Sequence, residues 1–184
     1  MRTKSTLEKA VKFITNCKFI FSFKKNIFQK NIFLLLLCLT TTFSFAQTEN
    51  VDSYLINLEN SGQDSKVIHL KHLLYDLQSA VYASASGEIN TYGEQPTALY
   101  SDIKSVSNLN TSVSAKENIE IATIKIENTS DLSQSVDLSN FAGFEKLKYI
   151  FIISEVQTSP SVINNLIKND NSKYVLIYKI SIGG

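Results

Sequence analysis

Two hydrophobic segments near the carboxyl end of the chain restrict its fold more than any other feature. They read LKYIFIISE at 147–155 and SKYVLIYKI at 172–180, and both are rich in branched aliphatic and aromatic residues. A strand with one wet face alternates apolar and polar residues, whereas a parallel strand covered on both faces reads as a continuous apolar run. The two segments therefore predict buried strands of a parallel sheet.

The segment between these strands has the signals of a helix. SPSVINNLIKND at 159–170 offers Ser159 as an N-cap and Pro160 at the first helical position. Its apolar face consists of Val162, Ile163, Leu166 and Ile167. A strand, a helix and a strand in close succession predict a parallel pair with a right-handed crossover.

A third segment, NIEIATIKIEN at 118–128, repeats the same strand pattern. Alignment on apolar positions one, four and six matches Ile121, Ile124 and Ile126 with Leu147, Ile150 and Ile152, and then with Ser172, Val175 and Ile177. The shifts between copies are 26 and 25 residues. The other face of the first copy carries Thr123, Lys125 and Glu127, which predicts an edge strand.

One strand per repeat of this length is typical of a solenoid, and the units resemble leucine-rich repeats, whose pattern is L-x-x-L-x-L-x-x-N. LKYIFIISE follows the first six positions and has Glu155 at the Asn position. The first copy carries Asn128 one place early, and the third has Ile180 there. The resemblance covers 118–180, and it implies a curved sheet whose strand face binds a protein or peptide.

Helical periodicity precedes the strands. Residues 50–60 and 65–83 each predict an amphipathic helix, the second with Gly87 at its end. The apolar stripe of the second helix is Val67, Leu70, Leu74, Leu77 and Val81. We therefore expect helices over 50–86, a polar connection over 87–117 and strand repeats over 118–184, with 97–106 fitting a short helix or a strand.

The amino end of the chain has the pattern of a secretory signal. Lys24, Lys25 and Lys30 precede an unbroken apolar run over 32–39. The small residues Ser44 and Ala46 then occupy the positions that signal peptidase reads, which predicts a cut before Gln47. The apolar run is shorter than the ~20 residues of a membrane span, which favours cleavage over a retained anchor. We expect 1–46 to be an N-terminal extension and cleaved signal peptide, 47–184 to be a single exported α/β domain in the periplasm or outside the cell, and no stable membrane span after cleavage.

Charge and cysteine content exclude several classes of function for residues 47–184. Residues 1–46 contain both cysteines and eight of the 18 Lys and Arg, but one of the 17 acids. The remainder has ten Lys, no Arg and 16 acids. This balance argues against nucleic acid as a partner, because the phosphate backbone is bound by clustered cations. The composition and the signal pattern favour a bacterial origin.

The aromatic residues of the second and third strands are the candidate contact face: Tyr149, Phe151, Tyr174 and Tyr178. Two interpretations compete. Either the N-terminal helices cover this face, or it is exposed and recruits a partner or stacks on sugar rings. Burial of Phe151 and Tyr178 decides between the two interpretations.

His69, His72 and Asp76 form the cluster nearest to a ligand set. All three fall opposite the apolar stripe of the predicted helix. His69 and Asp76 are seven residues apart, about 10 Å along a helix, so one tetrahedral ion does not readily bind all three. We expect a solvated helix face, with a two-histidine surface metal site as the alternative.

The expected fold is α/β: an N-terminal helical hairpin plus a small, mainly parallel sheet of repeated strand–helix units, either leucine-rich-repeat-like or an open βαβ arrangement. Neither a nucleophile-elbow nor a phosphate-loop motif occurs in the sequence. We expect an exported, non-enzymatic interaction or envelope-associated module, without a cofactor, whose partner is another protein or a glycan. The alternative is a small secreted hydrolase, or an accessory protein, with a cleft containing a histidine and an acid.

Overall fold

The computed structural model describes residues 48–170 and 173–182 of the chain. The predicted extension, the signal peptide and the cut between Ala46 and Gln47 lie outside these residues. The described residues therefore belong to the predicted α/β domain.

This part of the chain consists of short strands and short helices. The strands are β1 (Glu49–Asn50), β2 (Ala80–Ala83), β3 (Ile89–Tyr92), β4 (Ala98–Asp102), β5 (Ile121–Ile126), β6 (Val136–Asp137), β7 (Tyr149–Ser154), β8 (Ile167–Lys168) and β9 (Val175–Ile180). The α-helices are α1 (Val51–Asn60), α2 (Asp64–Tyr75), α3 (Leu109–Ser112) and α4 (Pro160–Leu166). Three 3-10 helices cover Ile103–Asn108, Thr129–Ser133 and Leu138–Phe141.

The main sheet has seven strands in the order β1-β9-β7-β5-β4-β2-β3. Every neighbouring pair is parallel except β2 and β3, which form an antiparallel hairpin. β6 and β8 form a separate parallel pair. The predicted α/β class with a mainly parallel sheet is confirmed.

Each face of the main sheet packs against a different layer. α1 and α2 bury Val51, Leu55, Leu58, Val67, Leu70 and Leu73 against one face, which we call the helix-covered face. The sheet contributes Ala80, Ala98, Ile121, Tyr149, Phe151 and Ile177 to this core. The opposite face packs against the 3-10 helices and α4 through residues such as Leu138, Phe141 and Ile163. Burial on both sides explains the continuous apolar runs of β7 and β9.

The second N-terminal helix is shorter than the sequence predicts. α2 ends at Tyr75, Asp76 is extended with ψ 157, and Leu77 is fully exposed instead of lying on the apolar stripe. Residues 80–83 form β2 because β3 and β4 pair with both of its sides, and this pairing overrides the helical periodicity. Gly87 occupies the β2–β3 turn with φ +86, not a helix end.

The predicted polar connection over 87–117 contains two strands of the main sheet, β3 and β4. The 3-10 helix at Ile103–Asn108 and α3 follow β4 directly. The sparse apolar residues Ile103, Val106 and Leu109 are all buried in the core of the opposite face. Their spacing of three fits this tight helical geometry, which explains why the segment lacked a longer amphipathic pattern.

Two further predictions about the strands are wrong. β5 is not an edge strand, because β4 and β7 flank it. The alignment of the repeats also differs from the real register: Ile121 pairs with Tyr149, 28 positions on, and Tyr149 pairs with Val175, 26 positions on. A slip of one residue moves every side chain to the other face, so the alignment misplaced the side chains of β9.

The prediction between β7 and β9 is confirmed in its main parts. Ser159 caps α4 by accepting from the Val162 N–H, Pro160 opens the helix, and β7 and β9 are parallel neighbours. Strands β2, β4, β5, β7 and β9 stand side by side in chain order. The resemblance to leucine-rich repeats stays a prediction.

Candidate functional site

The four aromatic residues that the sequence singled out do not form one surface. Tyr149, Phe151, Tyr174 and Tyr178 are only 4–8 % exposed. Tyr149 and Phe151 lie on the helix-covered face, whereas Tyr174 and Tyr178 belong to the core of the opposite face. The one-residue shift between the predicted and the real register of β9 accounts for this separation.

These four side chains have a structural role within the described part of the chain. α1 and α2 cover Tyr149 and Phe151, whereas Tyr174 and Tyr178 are buried on the opposite face of the sheet. The Tyr174 hydroxyl donates to the carbonyl oxygen of Phe141 at 3.0 Å, so its buried polar atom is satisfied. We therefore place all four in the core.

The two histidines of α2 have separate carboxylate partners. His69 Nε2 lies 2.9 Å from Glu120 Oε2, and Lys148 Nζ lies 3.0 Å from the same oxygen. Burial raises the pKa of Glu120, but hydrogen bonds from Lys148 and His69 outweigh it and hold the pKa below its ordinary value. His72 Nδ1 lies 2.6 Å from Asp76 Oδ2, one helical turn away. The pair His69–Glu120 thus links α2 to the start of β5.

Within residues 48–170 and 173–182, each histidine of α2 has one carboxylate as its partner. No group of three His, Cys, Asp or Glu side chains there is arranged to hold a metal ion. His69 and His72 also line neither of the two clefts described below. Neither of these two clefts therefore contains the histidine beside an acid that the hydrolase alternative requires.

Strands β2, β3 and β4 carry a group of neighbouring tyrosines that are exposed or partly exposed. Tyr82 and Tyr100 are register partners on parallel strands, and their rings stack with centroids 4.9 Å apart and 16° between planes. Tyr92 meets Tyr82 edge-on, with centroids 5.5 Å apart and planes at 85°. Tyr82 and Tyr92 are 46 % and 61 % exposed, and Tyr100 is partly buried. We call Tyr82, Tyr92 and Tyr100 the tyrosine ladder.

Strand geometry explains why the ladder is at the limit of the helical cover. Ala80 and Ala98 are buried beneath the helices, and Tyr82 and Tyr100 follow two residues later on the same face of the sheet. The tyrosines then extend beyond the core that the alanines help to form, toward the carboxyl ends of the strands.

A cleft of about 280 Å³ lies beside the ladder. Its walls include Tyr82, Tyr100, Glu88, Asn90, Asp102 and Lys125. In sheets with parallel strands, ligands commonly bind at the carboxyl ends, and this cleft has that position. The cleft combines aromatic rings with carboxylate, amide and ammonium groups.

Most of the charged groups of this cleft have partners in the protein. Asp102 Oδ2 accepts from the Ala85 N–H at 2.8 Å and so holds the β2–β3 turn. Lys125 Nζ lies 3.0 Å from Glu155 and 3.2 Å from Glu127. The hydrogen bond to Glu155 raises the pKa of Lys125 despite the opposing effect of burial. Lys125 is therefore a charged ammonium group at the border of the cleft, and the carboxylates of Glu127 and Glu155 balance its charge.

The hydroxyl of Tyr100 is held as a neutral donor. Burial, and after it the adjacent Tyr82, raises the pKa of the Tyr100 hydroxyl above its ordinary value. A neutral phenol presents one O–H donor, an acceptor oxygen and an aromatic ring. Such a surface binds by stacking and hydrogen bonding.

A second cleft, of about 210 Å³, lies on the opposite face around the same hairpin turn. It is lined by Ser84, Ser86, Lys104, Ser105 and other residues of the turn and of the 3-10 helix after β4. Lys104 Nζ lies 2.9 Å from Asp131 Oδ1, so its charge is paired. This cleft is smaller and has no aromatic ring in its wall.

Sequence reasoning missed the tyrosine ladder, although a signal was present. AVYA at 80–83 and ALYS at 98–101 share the same order of small, aliphatic, tyrosine and small residues. These tetrapeptides are β2 and most of β4, and they pair residue by residue. The match was obscured because the first copy was assigned to a helix and the second to a polar connection.

Comparison with protein-family models, curated proteins and solved structures gives no match for this chain. Within the described ranges, no helix has both the length and the apolar character needed to cross a membrane.

Proposed function

We propose that this chain is an exported, non-enzymatic binding module whose contact face is the tyrosine ladder. The observation that carries the proposal is the stack of Tyr82 and Tyr100, extended by Tyr92, at the border of the helix-covered core. Tyrosine is enriched at protein interfaces because it combines a large apolar ring with a polar tip. Each further ~100 Å² of apolar surface that a partner covers stabilises a complex by about 2.5 kcal/mol before the losses of association.

Cleavage before Gln47 is compatible with the contacts at the start of the domain. Thr48 is buried, and both its N–H and its hydroxyl donate to Asn164 Oδ1. Glu49 and Asn50 then pair with β9. Cleavage after Ala46 removes none of these contacts, so it is compatible with the complete described domain.

The test compares capture of partners by the purified protein and by a ladder variant, Tyr82→Ser/Tyr100→Ser. Each is immobilised and exposed to solubilised envelope and medium of the producing bacterium. We expect the variant to lose the captured components while it keeps the circular dichroism of the folded wild type, because Tyr82 and Tyr100 lie at the border of the core. Its melting temperature should fall only by the loss of the ring stack and of the partial burial of Tyr100.

The matched control is Ile56→Ser/Ile68→Ser, which removes exposed apolar side chains from α1 and α2. This control is expected to capture the same components as the wild type. Undiminished capture by a folded ladder variant would show that the ladder is not the contact face.

A further inference from the structure

We infer that the tyrosine ladder binds a basic polypeptide segment through its Arg or Lys side chains. This inference rests on the proposed function, since it names the partner class of the same face. Its basis is the coincidence of aromatic rings and one sign of charge in a single part of the fold.

The charge distribution along the chain supports a cationic partner. Residues 73–103, which contain β2, β3, β4 and the whole ladder, have no Lys, Arg or His. The same stretch has four acids: Asp76, Glu88, Glu94 and Asp102. It also holds four of the eight tyrosines of the chain. The ladder therefore lies in a part of the sheet that attracts positive charge over a distance of about 8–10 Å in physiological salt.

The nearest lysines do not cancel this attraction. Lys125 is held between Glu127 and Glu155, and Lys104 is paired with Asp131. Each of these ammonium groups thus meets at least one carboxylate of its own. The carboxylates of Glu88 and Asp102, which line the cleft beside the ladder, remain as the local excess of negative charge.

The cleft has the chemistry that a guanidinium or ammonium group requires. An aromatic ring attracts a cation to its face through the ring quadrupole, and arginine also stacks on such rings. Carboxylates of Glu88 and Asp102 stand beside Tyr82 and Tyr100 in the same wall and can accept charge-assisted hydrogen bonds. A neutral glycan also stacks on tyrosine, but it gains nothing from the excess of acids.

The direct test uses fluorescently labelled octa-arginine as the probe, with octa-glutamate and cellohexaose as comparison probes. Binding to the purified protein is followed by fluorescence anisotropy at increasing salt. We expect octa-arginine to bind, with an affinity that falls as salt rises, and the two comparison probes to show no saturable binding.

Two variants separate the carboxylates from the rings. Glu88→Gln/Asp102→Asn keeps an oxygen acceptor for the Ala85 N–H but removes two charges, and we expect about tenfold weaker binding of octa-arginine. Tyr82→Leu/Tyr100→Leu keeps apolar bulk but removes the rings, and a similar loss of about tenfold is expected.

The charge-matched control is Asp64→Asn/Glu145→Gln, which removes two exposed acids outside residues 73–103. It should change the affinity for octa-arginine by less than about twofold. An equal loss in this control would assign the attraction to the whole acidic protein and overturn the inference.

The failure of the inference differs from the failure of the proposed function. If octa-arginine does not bind but cellohexaose binds in a way that the ladder variant abolishes, the ladder is a contact face for a glycan and only the basic partner is wrong. If octa-arginine does not bind and the ladder variant also captures every component that the wild type captures, both proposals are wrong.

Discussion

Tyr82 and Tyr100 stack on neighbouring parallel strands, with their ring centroids 4.9 Å apart. The residues one position earlier, Val81 and Leu99, also pair with each other and are fully buried. One strand pair thus contributes to the core on one face and to a candidate binding surface on the other. Changes to the rings should therefore affect recognition more than folding.

The stack itself has a measurable energy. In a double-mutant cycle of Tyr82→Ala and Tyr100→Ala, we expect a coupling of about 0.5–1.5 kcal/mol in the free energy of unfolding. Urea denaturation supplies the four values. The matched control is a second cycle, of Tyr82→Ala and Tyr54→Ala. Tyr54 packs with the N-terminal helical core, so it should show almost no coupling to Tyr82. Equal coupling in both cycles would contradict a direct contact between the two rings.

Phe151 should behave as a core residue and not as a contact residue. Phe151→Ala leaves a cavity beneath α1 and α2, and we expect the free energy of unfolding to fall by about 3–5 kcal/mol. Ile56→Ala on the exposed side of α1 should cost less than about 0.5 kcal/mol. A small effect of the Phe151 change, measured by urea denaturation, would argue against the helical cover seen here.

Asp131 should make the stability depend on acid pH. Its buried carboxylate accepts from the backbone N–H groups of Glu127 and Asn128 and is paired with Lys104. Burial raises the pKa of Asp131, but these partners, Lys104 first, outweigh burial and hold it below the ordinary value of 3.8. Because the folded-state pKa is the lower one, the carboxylate stabilises the fold above pH 3.8, and this contribution is lost as the pH falls from 3.8 through the folded value.

The corresponding variant is Asp131→Ala, which leaves the two N–H groups without this acceptor. We expect it to lower the free energy of unfolding at neutral pH by about 1–3 kcal/mol. The difference from the wild type should shrink in acid, as followed by denaturation at several pH values. A difference that stays constant down to the lowest pH would show that the charge of Asp131 is not responsible.

Export with cleavage after Ala46 is tested by the mass and the amino-terminal sequence of the protein recovered outside the cytoplasm. We expect a chain that begins at Gln47. Ala46→Tyr should block the cut, because the signal peptidase site requires a small residue there, whereas Phe45→Leu at the tolerant middle position should not. Normal processing of the Ala46 variant would place the cut elsewhere.

The sequence predicted those elements whose signals are local. Ser159 and Pro160 marked the start of α4, and the apolar runs identified β7 and β9, because caps and two-sided burial leave direct traces. The end of α2 left no such trace. Val81 fits the helical stripe as well as it fits a buried strand, and only pairing with β3 and β4 decides between the two.

The candidate site was missed for a related reason. Its three tyrosines lie on three different strands. The sequence pattern predicts a helix at Tyr82 and a polar connection at Tyr92, so it does not place them on one sheet. The aromatic residues of 147–155 and 172–180 predict a contact face that includes Tyr149 and Tyr174, but the real register differs by one residue from the alignment and places these two on opposite faces. Register is a property of paired strands, so a single strand sequence does not contain it.

The order of the main sheet also determines how the ladder is presented. β1 lies at one edge, next to β9, and β3 lies at the other. Across six strand spacings of ~4.8 Å, these edges are about 29 Å apart. A tether or affinity tag joined before Thr48 therefore enters the domain at the edge remote from Tyr92, so it is attached away from the aromatic surface.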